Sequence, residues 1–112
     1  MSNFNLEEYI AKQIAERPIE ATLVRKVYKS LKDAGTPIVR LYDGEVWEKV
    51  ESEKDLLNLA FNLDEWRAYT SGDSWVFVVM GQGAEGLTDW TTNLDPAFAA
   101  SGLEAWIDRN ID

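Results

Sequence analysis

The feature that most constrains the fold of this chain is an apolar run at residues 75–80. It contains six consecutive apolar side chains, rich in valine and aromatic residues and free of Gly and Pro. Turn-forming residues border it on both sides, at 71–73 and 81–83. A run of this length between turns predicts a strand buried on both faces, and therefore an interior strand of a sheet. The alternative, a segment of a buried helix, is disfavoured because the run is shorter than a typical helix.

Length and composition favour a single globular domain over residues 1–112. Hydrophobic residues make up 46% of the chain and aromatic residues 12%, which suffices for a core without metals or disulfides. Cysteine is absent, which fits a reducing compartment. The N-terminus lacks the basic and apolar blocks of a signal peptide, and no apolar run approaches the length of a membrane span. We therefore expect a cytoplasmic protein that does not enter a membrane.

Helical spacing of apolar residues predicts two helices near the N-terminus, at about residues 6–16 and 20–34. Ser52 is expected to cap a short third helix. The last helix should begin at Asp95-Pro96, with its middle weakened or kinked at Ser101-Gly102. These elements alternate with strand segments in a way that is typical of an α+β domain.

Two turn signals predict tight β-hairpins. Asp43-Gly44 is a strong hairpin dipeptide, and a two-residue loop there would pair Arg40 with Trp47. In that register Val39 and Val46 belong to the core face, whereas Arg40 and Trp47 form a cation–π pair on the other face. Trp47 could instead be an exposed contact residue.

Gly72-Asp73 predicts the second hairpin, which joins residues 65–70 to the apolar run. A two-residue loop gives one face made of Trp66, Ala68, Trp75, Phe77 and Val79. The other face then holds Glu65, Arg67, Tyr69, Val76, Val78 and Met80. A slip of one residue would exchange the two faces.

Taken together, the elements predict an α+β fold with the order helix-helix-strand-strand-helix-strand-strand-strand-helix. We expect an antiparallel sheet of about four to five strands, packed against three to four helices.

No motif points to catalysis, a metal or a cofactor. The chain has no His and no Cys, so the commonest general base, the thiolate nucleophile and His/Cys metal sites are excluded. Gly81, Gly83 and Gly86 spell G-x-G-x-x-G, but the dinucleotide fingerprint needs a helix directly after it, and here a β-rich segment follows. A Ser-Lys dyad or a carboxylate pair stays open. We predict a protein that is not an enzyme and binds no cofactor.

The net charge of −9 is unevenly distributed. Residues 1–40 carry seven basic and five acidic side chains, 7 − 5 = +2, and residues 41–112 carry four basic and fifteen acidic ones, 4 − 15 = −11. Such a surface repels nucleic acid and anionic membranes and attracts basic protein surfaces. The alternative is that the acidic side chains only keep the protein in solution.

The C-terminal part of the chain resembles small phage and prophage proteins that have no agreed activity. The similarity lies in residues 76–83, an aromatic-containing strand that ends in a glycine turn, and in residues 87–95, which read Leu-Thr-Asp-Trp-Thr-Thr-Asn-Leu-Asp. The resemblance implies an origin in a mobile element and brings no catalytic residues.

The densest acidic cluster lies between residues 43 and 55, where six acidic side chains accompany two lysines. Carboxylates on a folded surface can resemble the phosphate array of a duplex, as in phage anti-restriction and anti-CRISPR proteins. We therefore predict a binding protein that contacts a basic protein surface, such as that of a host nucleic-acid-binding defence complex, and does not bind nucleic acid directly. The alternative is a structural or scaffolding phage protein that self-associates. The predicted partner-binding residues are Asp43, Glu45, Trp47, Glu48, Glu51, Glu53 and Asp55.

Overall fold

The computed structural model describes residues 5–111, and over this range the predicted α+β fold is confirmed. The helices are α1 (Leu6–Glu16), α2 (Pro18–Asp33), α3 (Glu53–Ala60), α4 (Asp95–Ser101) and α5 (Leu103–Arg109). The strands are β1 (Ile38–Tyr42), β2 (Trp47–Lys49), β3 (Glu65–Thr70), β4 (Trp75–Val79) and β5 (Leu87–Trp90). Short 3-10 helices lie at Gly83–Gly86 and Thr92–Leu94. None of the helices in the described range has the length and apolar character that a membrane span requires.

Local signals set the helix ends. The Asn5 side chain accepts a hydrogen bond from the Glu8 backbone N–H at the start of α1. The Ser52 hydroxyl does the same for the Asp55 N–H, which confirms the predicted cap of α3. Gly102, at a φ of 74°, separates α4 from α5, so the predicted last helix is two short helices.

The five strands form one antiparallel sheet in the order β2-β1-β3-β4-β5. The apolar run is β4, which lies between β3 and β5, so the prediction of an interior strand is confirmed. Val76 and Val78 are buried in the core together with residues of α2 to α5. The expected burial of both faces is wrong, because Trp75, Phe77 and Val79 on the other face are only partly covered.

The first hairpin has a four-residue loop where a two-residue loop was predicted. Tyr42 pairs with Trp47, and Asp43 to Val46 make the turn. The Asp43 carboxylate accepts hydrogen bonds of 2.8 Å from the backbone N–H groups of Glu45 and Val46, which stabilises the longer loop.

The longer loop shifts the pairing of β1 with β2 by two residues. Because side chains alternate with a period of two, each paired residue stays on its predicted face of the sheet, but two of the predicted core residues are not buried. Arg40 and Trp47 share a face, and the guanidinium lies 4.6 Å from the centroid of the indole ring, so the predicted cation–π pair is confirmed. Val46 lies in the loop and Val39 at an irregularity between Ile38 and Arg40. Both valines are exposed, and their prediction as core residues is wrong.

The second hairpin has a three-residue loop, Ser71 to Asp73, and a register one residue away from the predicted one. Thr70 and Ser74 face each other across the turn and share a buried hydrogen bond of 2.6 Å between their hydroxyls. The Gly72 N–H donates to the Thr70 hydroxyl, which further stabilises this loop.

This slip exchanges the predicted faces. Trp66 and Ala68 are buried with Val76 and Val78, and the predicted grouping of Trp66 with Trp75, Phe77 and Val79 is wrong. The observed register leaves the charged side chains of β3 in solvent, which avoids the cost of burying them.

Helices cover only one face of the sheet, and the other is called the open face here. On the open face, the pairing of neighbouring strands places aromatic and charged side chains next to one another, and several of their rings are in contact. Its aromatic residues are Tyr42, Trp47, Tyr69, Trp75 and Phe77. Its charged residues are Arg40, Lys49, Glu65, Arg67 and Asp89.

Amide hydrogen exchange should be slowest in the interior of the sheet. Val76 and Val78 are almost fully buried, and β4 is hydrogen-bonded on both sides, whereas every residue of β2 is exposed. We expect the amides of residues 76–79 to be among the slowest to exchange by NMR, and that of Glu48 to exchange much faster. Equal rates at Val78 and Glu48 would contradict the interior position of β4.

Candidate functional site

The structure divides the acidic cluster of residues 43–55 into two groups at opposite ends of the first hairpin. Asp43 and Glu45 lie at its turn, whereas residues 51–55 lie where β2 leads into α3. Glu51 lies six residue steps after Glu45, which correspond to about 20 Å of extended chain. Glu48 lies between the groups and pairs with the core residue Leu41, so it faces away from the open face.

The group at the start of α3 has partners within the chain. Glu51 lies 3.6 Å from the Lys49 ammonium, and Glu53 lies 3.6 Å from the Arg25 guanidinium. The Asp55 carboxylate accepts the Glu51 backbone N–H at 2.9 Å. The two ion pairs are solvent-exposed and contribute little to stability, but they neutralise part of the charge of this group.

Asp43 has a structural role in addition to its charge. The backbone N–H groups of Val46 and Glu45 bind its carboxylate and lower the pKa of Asp43 below its ordinary value. Asp43 is therefore a fixed negative charge whose removal would also disturb the loop.

Strand pairing brings further carboxylates next to the turn. Asp43, Asp64 and Glu65 line one cavity of about 360 Å³ together with Asn62 and Leu63. We call Asp43, Glu45, Asp64 and Glu65 the acidic end of the sheet. None of them takes part in an ion pair between described residues.

The carboxylates of the acidic end do not form a cluster with metal-ligand geometry in the described part of the chain. Over residues 5–111, no group of three or more acidic side chains has an arrangement that could hold a metal ion. Lys and Arg side chains can serve as counter-charges for such carboxylates, because ammonium and guanidinium groups need no fixed coordination geometry. Asp64 and Glu65 were not among the predicted site residues, although Asp64 directly precedes β3 and Glu65 begins it, at the same end of the sheet as the β1–β2 turn.

Trp47 is a residue of the open face and lies next to the acidic end. Its side chain is 49% exposed. Its ring centroid lies 4.9 Å from those of both Tyr42 and Tyr69, so packing holds the indole in position. A rigid, half-exposed indole next to charged groups is typical of an interface anchor.

Two arginines of the open face lie over aromatic rings. The Arg40 guanidinium is 4.6 Å from the Trp47 ring centroid and 5.5 Å from that of Tyr69. The Arg67 guanidinium is 4.5 Å from the Trp75 ring and 5.7 Å from that of Phe77. These contacts restrict both guanidinium groups while leaving their N–H groups available.

The sequence left a Ser-Lys dyad open without naming its residues, and one serine that lies near a lysine in the structure is Ser30 of α2. The Ser30 hydroxyl lies 2.6 Å from the Lys26 carbonyl oxygen and 2.8 Å from the Ser101 hydroxyl of α4. The Lys26 ammonium lies 5.6 Å from the centroid of the Trp106 ring of α5. The contacts of Ser30 and Lys26 are those of helix packing.

Comparison with protein-family models, with curated proteins and with solved structures gave no match.

Proposed function

We propose that this chain is a non-enzymatic binding protein whose acidic end contacts a basic surface of a partner protein. The observation that carries the proposal is that Asp43, Asp64 and Glu65 line one cavity and that none of them forms an ion pair with a described residue. Neighbouring like charges repel each other, and Lys or Arg side chains of a partner would relieve that repulsion.

The other predicted residues enlarge this surface. Glu45 and Glu48 are exposed and form no ion pair with a described residue. Trp47 supplies an aromatic anchor close to Glu45, whereas Glu48 lies on the opposite face of β2. The remaining predicted residues have local partners within the chain; they are Glu51, Glu53 and Asp55. Their charges attract a basic partner from a distance and so act mainly on the rate of association.

The specific form of the proposal is an inhibitor of a host nucleic-acid-binding defence complex, of the anti-CRISPR or anti-restriction type. Residues 41–112 carry a net charge of −11, and proteins that bind DNA present Lys/Arg arrays to the phosphates. A surface of carboxylates would compete with DNA for those arrays.

The alternative is a structural phage protein that self-associates. The open face supplies a contact surface for it, because exposed aromatic and arginine side chains are enriched in protein interfaces. Sedimentation of the purified protein at micromolar concentration separates the two functions. A discrete oligomer without a partner favours the structural role, and a monomer favours the inhibitor.

Neutralising the acidic end should weaken partner binding without harming the fold. The test variant combines Asp64→Asn with Glu65→Gln, because both side chains are exposed. The matched control combines Glu104→Gln with Asp108→Asn, which removes two exposed carboxylates from α5. We expect capture of a partner from host lysate to fall at least about tenfold for the test variant and to stay unchanged for the control. The melting temperature of the test variant should equal or exceed that of the wild type, since repulsion is removed.

The dependence on salt gives a second measurement. Exposed charges are screened within about 8 Å at physiological ionic strength, so capture should weaken steeply as salt is added. Capture that is insensitive to salt and equal for both variants would show that the acidic end serves only solubility. A hydrolase or transferase activity that copurifies with the protein and disappears on mutation would contradict the non-enzymatic assignment.

A further inference from the structure

The arginines of the open face are prepared to bind an anion. Each guanidinium group lies near two aromatic rings, which restricts its position before any ligand arrives. Neither Arg40 nor Arg67 forms an ion pair with a described residue. Their N–H forks are therefore free to bind carboxylate or phosphate oxygens from outside the chain.

The spacing of the two arginines matches an extended peptide. Arg40 pairs with Tyr69 across β1 and β3, and Arg67 lies two residues before Tyr69. Such diagonal neighbours have Cα atoms about 7–8 Å apart. Alternate residues of an extended chain, which point to the same side, are about 6.6–6.8 Å apart. Two carboxylates on alternate residues would thus reach one arginine each.

We propose that the open face binds an extended acidic segment of a partner protein, with carboxylates on alternate residues held by Arg40 and Arg67. The exposed part of Trp47 and the partly covered Trp75 pack against the apolar atoms of that segment. The open face adjoins the acidic end and shares Glu65 with it, and both proposed contacts use Trp47. Arg40 and Arg67 take no part in the proposed contact of the acidic end, so variants of these two arginines test the inference independently of the proposed function.

Charge complementarity supports an acidic segment as the occupant. The open face carries three cations and two carboxylates, 3 − 2 = +1, within a chain whose net charge is −9. The remainder of the chain therefore carries −10. A short acidic segment can lie close to the three cations of the open face, Arg40, Lys49 and Arg67, without extending over the acidic remainder of the surface.

A nucleic acid fits this surface less well. A long polyanion would extend past Glu65 and Asp89 towards the acidic end, where its phosphates are repelled. Proteins that bind single strands offer uncovered ring faces on which the bases stack. Here guanidinium groups lie over the rings, so the outward layer presents N–H donors.

The test uses three probes with the full-length protein. They are a short peptide of alternating glutamate and threonine, the same peptide with glutamine in place of glutamate, and a short oligothymidylate. Binding is followed by NMR and by tryptophan fluorescence. The variants are Arg40→Gln, Arg67→Gln and the corresponding lysine substitutions, which keep the charge but lose the fork. The matched control combines Lys12→Gln with Lys54→Gln, two exposed cations outside the open face.

The acidic peptide should shift the amide signals of β1, β3 and β4, and the glutamine peptide should not. Each Arg→Gln change should weaken binding about tenfold, which is the usual effect of losing a charge-assisted hydrogen bond. Each Arg→Lys change should weaken it less, and the control variant should bind as the wild type does. Unchanged far-UV circular dichroism shows that a variant that no longer binds is still folded.

Three results would overturn the inference. The acidic peptide could bind the arginine variants as well as the wild type, which would place it elsewhere. Oligothymidylate could bind more tightly than the peptide and depend on both arginines, which would make the open face a nucleic-acid site. The free protein could sediment as a dimer that Arg40→Gln and Arg67→Gln dissociate, in which case a second copy occupies the face.

Discussion

Replacing Glu20 with alanine is expected to destabilise the protein by about 3 kcal/mol at neutral pH. The buried Glu20 carboxylate forms a two-point ion pair with Arg17, at 2.7 Å and 2.9 Å. It also accepts a hydrogen bond from the Gly81 backbone N–H, which links the start of α2 to the turn after β4. With alanine at position 20, the Arg17 guanidinium and the Gly81 backbone N–H both lose the carboxylate that they bind. Urea denaturation at neutral pH measures the loss.

The acid sensitivity of the fold should also depend on Glu20. Burial alone would raise the pKa of Glu20, but the Arg17 side chain and the Gly81 N–H outweigh burial and lower the pKa below 4.5. A carboxyl whose pKa is lowered by folding stabilises the protein above its unfolded pKa, and this contribution is lost as the pH falls through its folded pKa. The difference in stability between the wild type and Glu20→Gln should therefore narrow below about pH 4.5.

Glu16→Gln is the matched control for this experiment. Glu16 is exposed and lies 3.9 Å from the Lys12 ammonium, so its neutralisation should change stability by less than about 1 kcal/mol. If the difference between the wild type and Glu20→Gln stays constant from neutral pH to pH 3, ionisation of Glu20 is not the source of its stabilising effect.

Gly86→Ala is expected to cost about 3 kcal/mol because no room exists for a side chain at this position. A Cβ atom on Gly86 would lie 2.6 Å from the Val79 carbonyl oxygen and 3.2 Å from a methyl group of Leu23. The carbonyl belongs to the backbone of the interior strand β4 and cannot rotate away. The turn that contains Gly86 would have to move, together with its packing against α2.

Gly72→Ala is the corresponding control, since its Cβ would meet only the Thr70 hydroxyl oxygen, at 3.8 Å. We expect this substitution to stay within about 1 kcal/mol of the wild type. Urea midpoints that coincide for Gly86→Ala and Gly72→Ala would contradict the close approach of the 3-10 turn to β4 and α2.

The sequence predicted well those elements whose ends are set by nearby residues. The predicted bounds of α1, residues 6–16, are those of the structure, because Asn5 caps its start and Pro18 follows its end. β3 was likewise predicted with its observed bounds, and Ser52 was identified as a cap. Each signal acts over three or four residues and needs no knowledge of the tertiary structure.

Side-chain hydrogen bonds within the turns decided the registers. The Asp43 carboxylate lengthens the first loop to four residues, and the Thr70–Ser74 contact lengthens the second to three. Apolar alternation could not reveal the second register, because β4 carries large apolar side chains on both faces. β3 decides which face of β4 packs against the helices. Arg67 must stay in solvent, so the face of the sheet that carries Arg67 stays uncovered.

The acidic charge, the absence of His and Cys and the α+β pattern were determined by the sequence itself. The acidic end and the open face were decided by the tertiary structure alone. Asp64 lines the same cavity as Asp43, and Arg67 is a diagonal neighbour of Arg40, because β1 pairs with a strand more than twenty residues later in the chain. Such pairing depends on the packing of the whole core, since closing a loop of that length is unfavourable until burial of the core compensates for it.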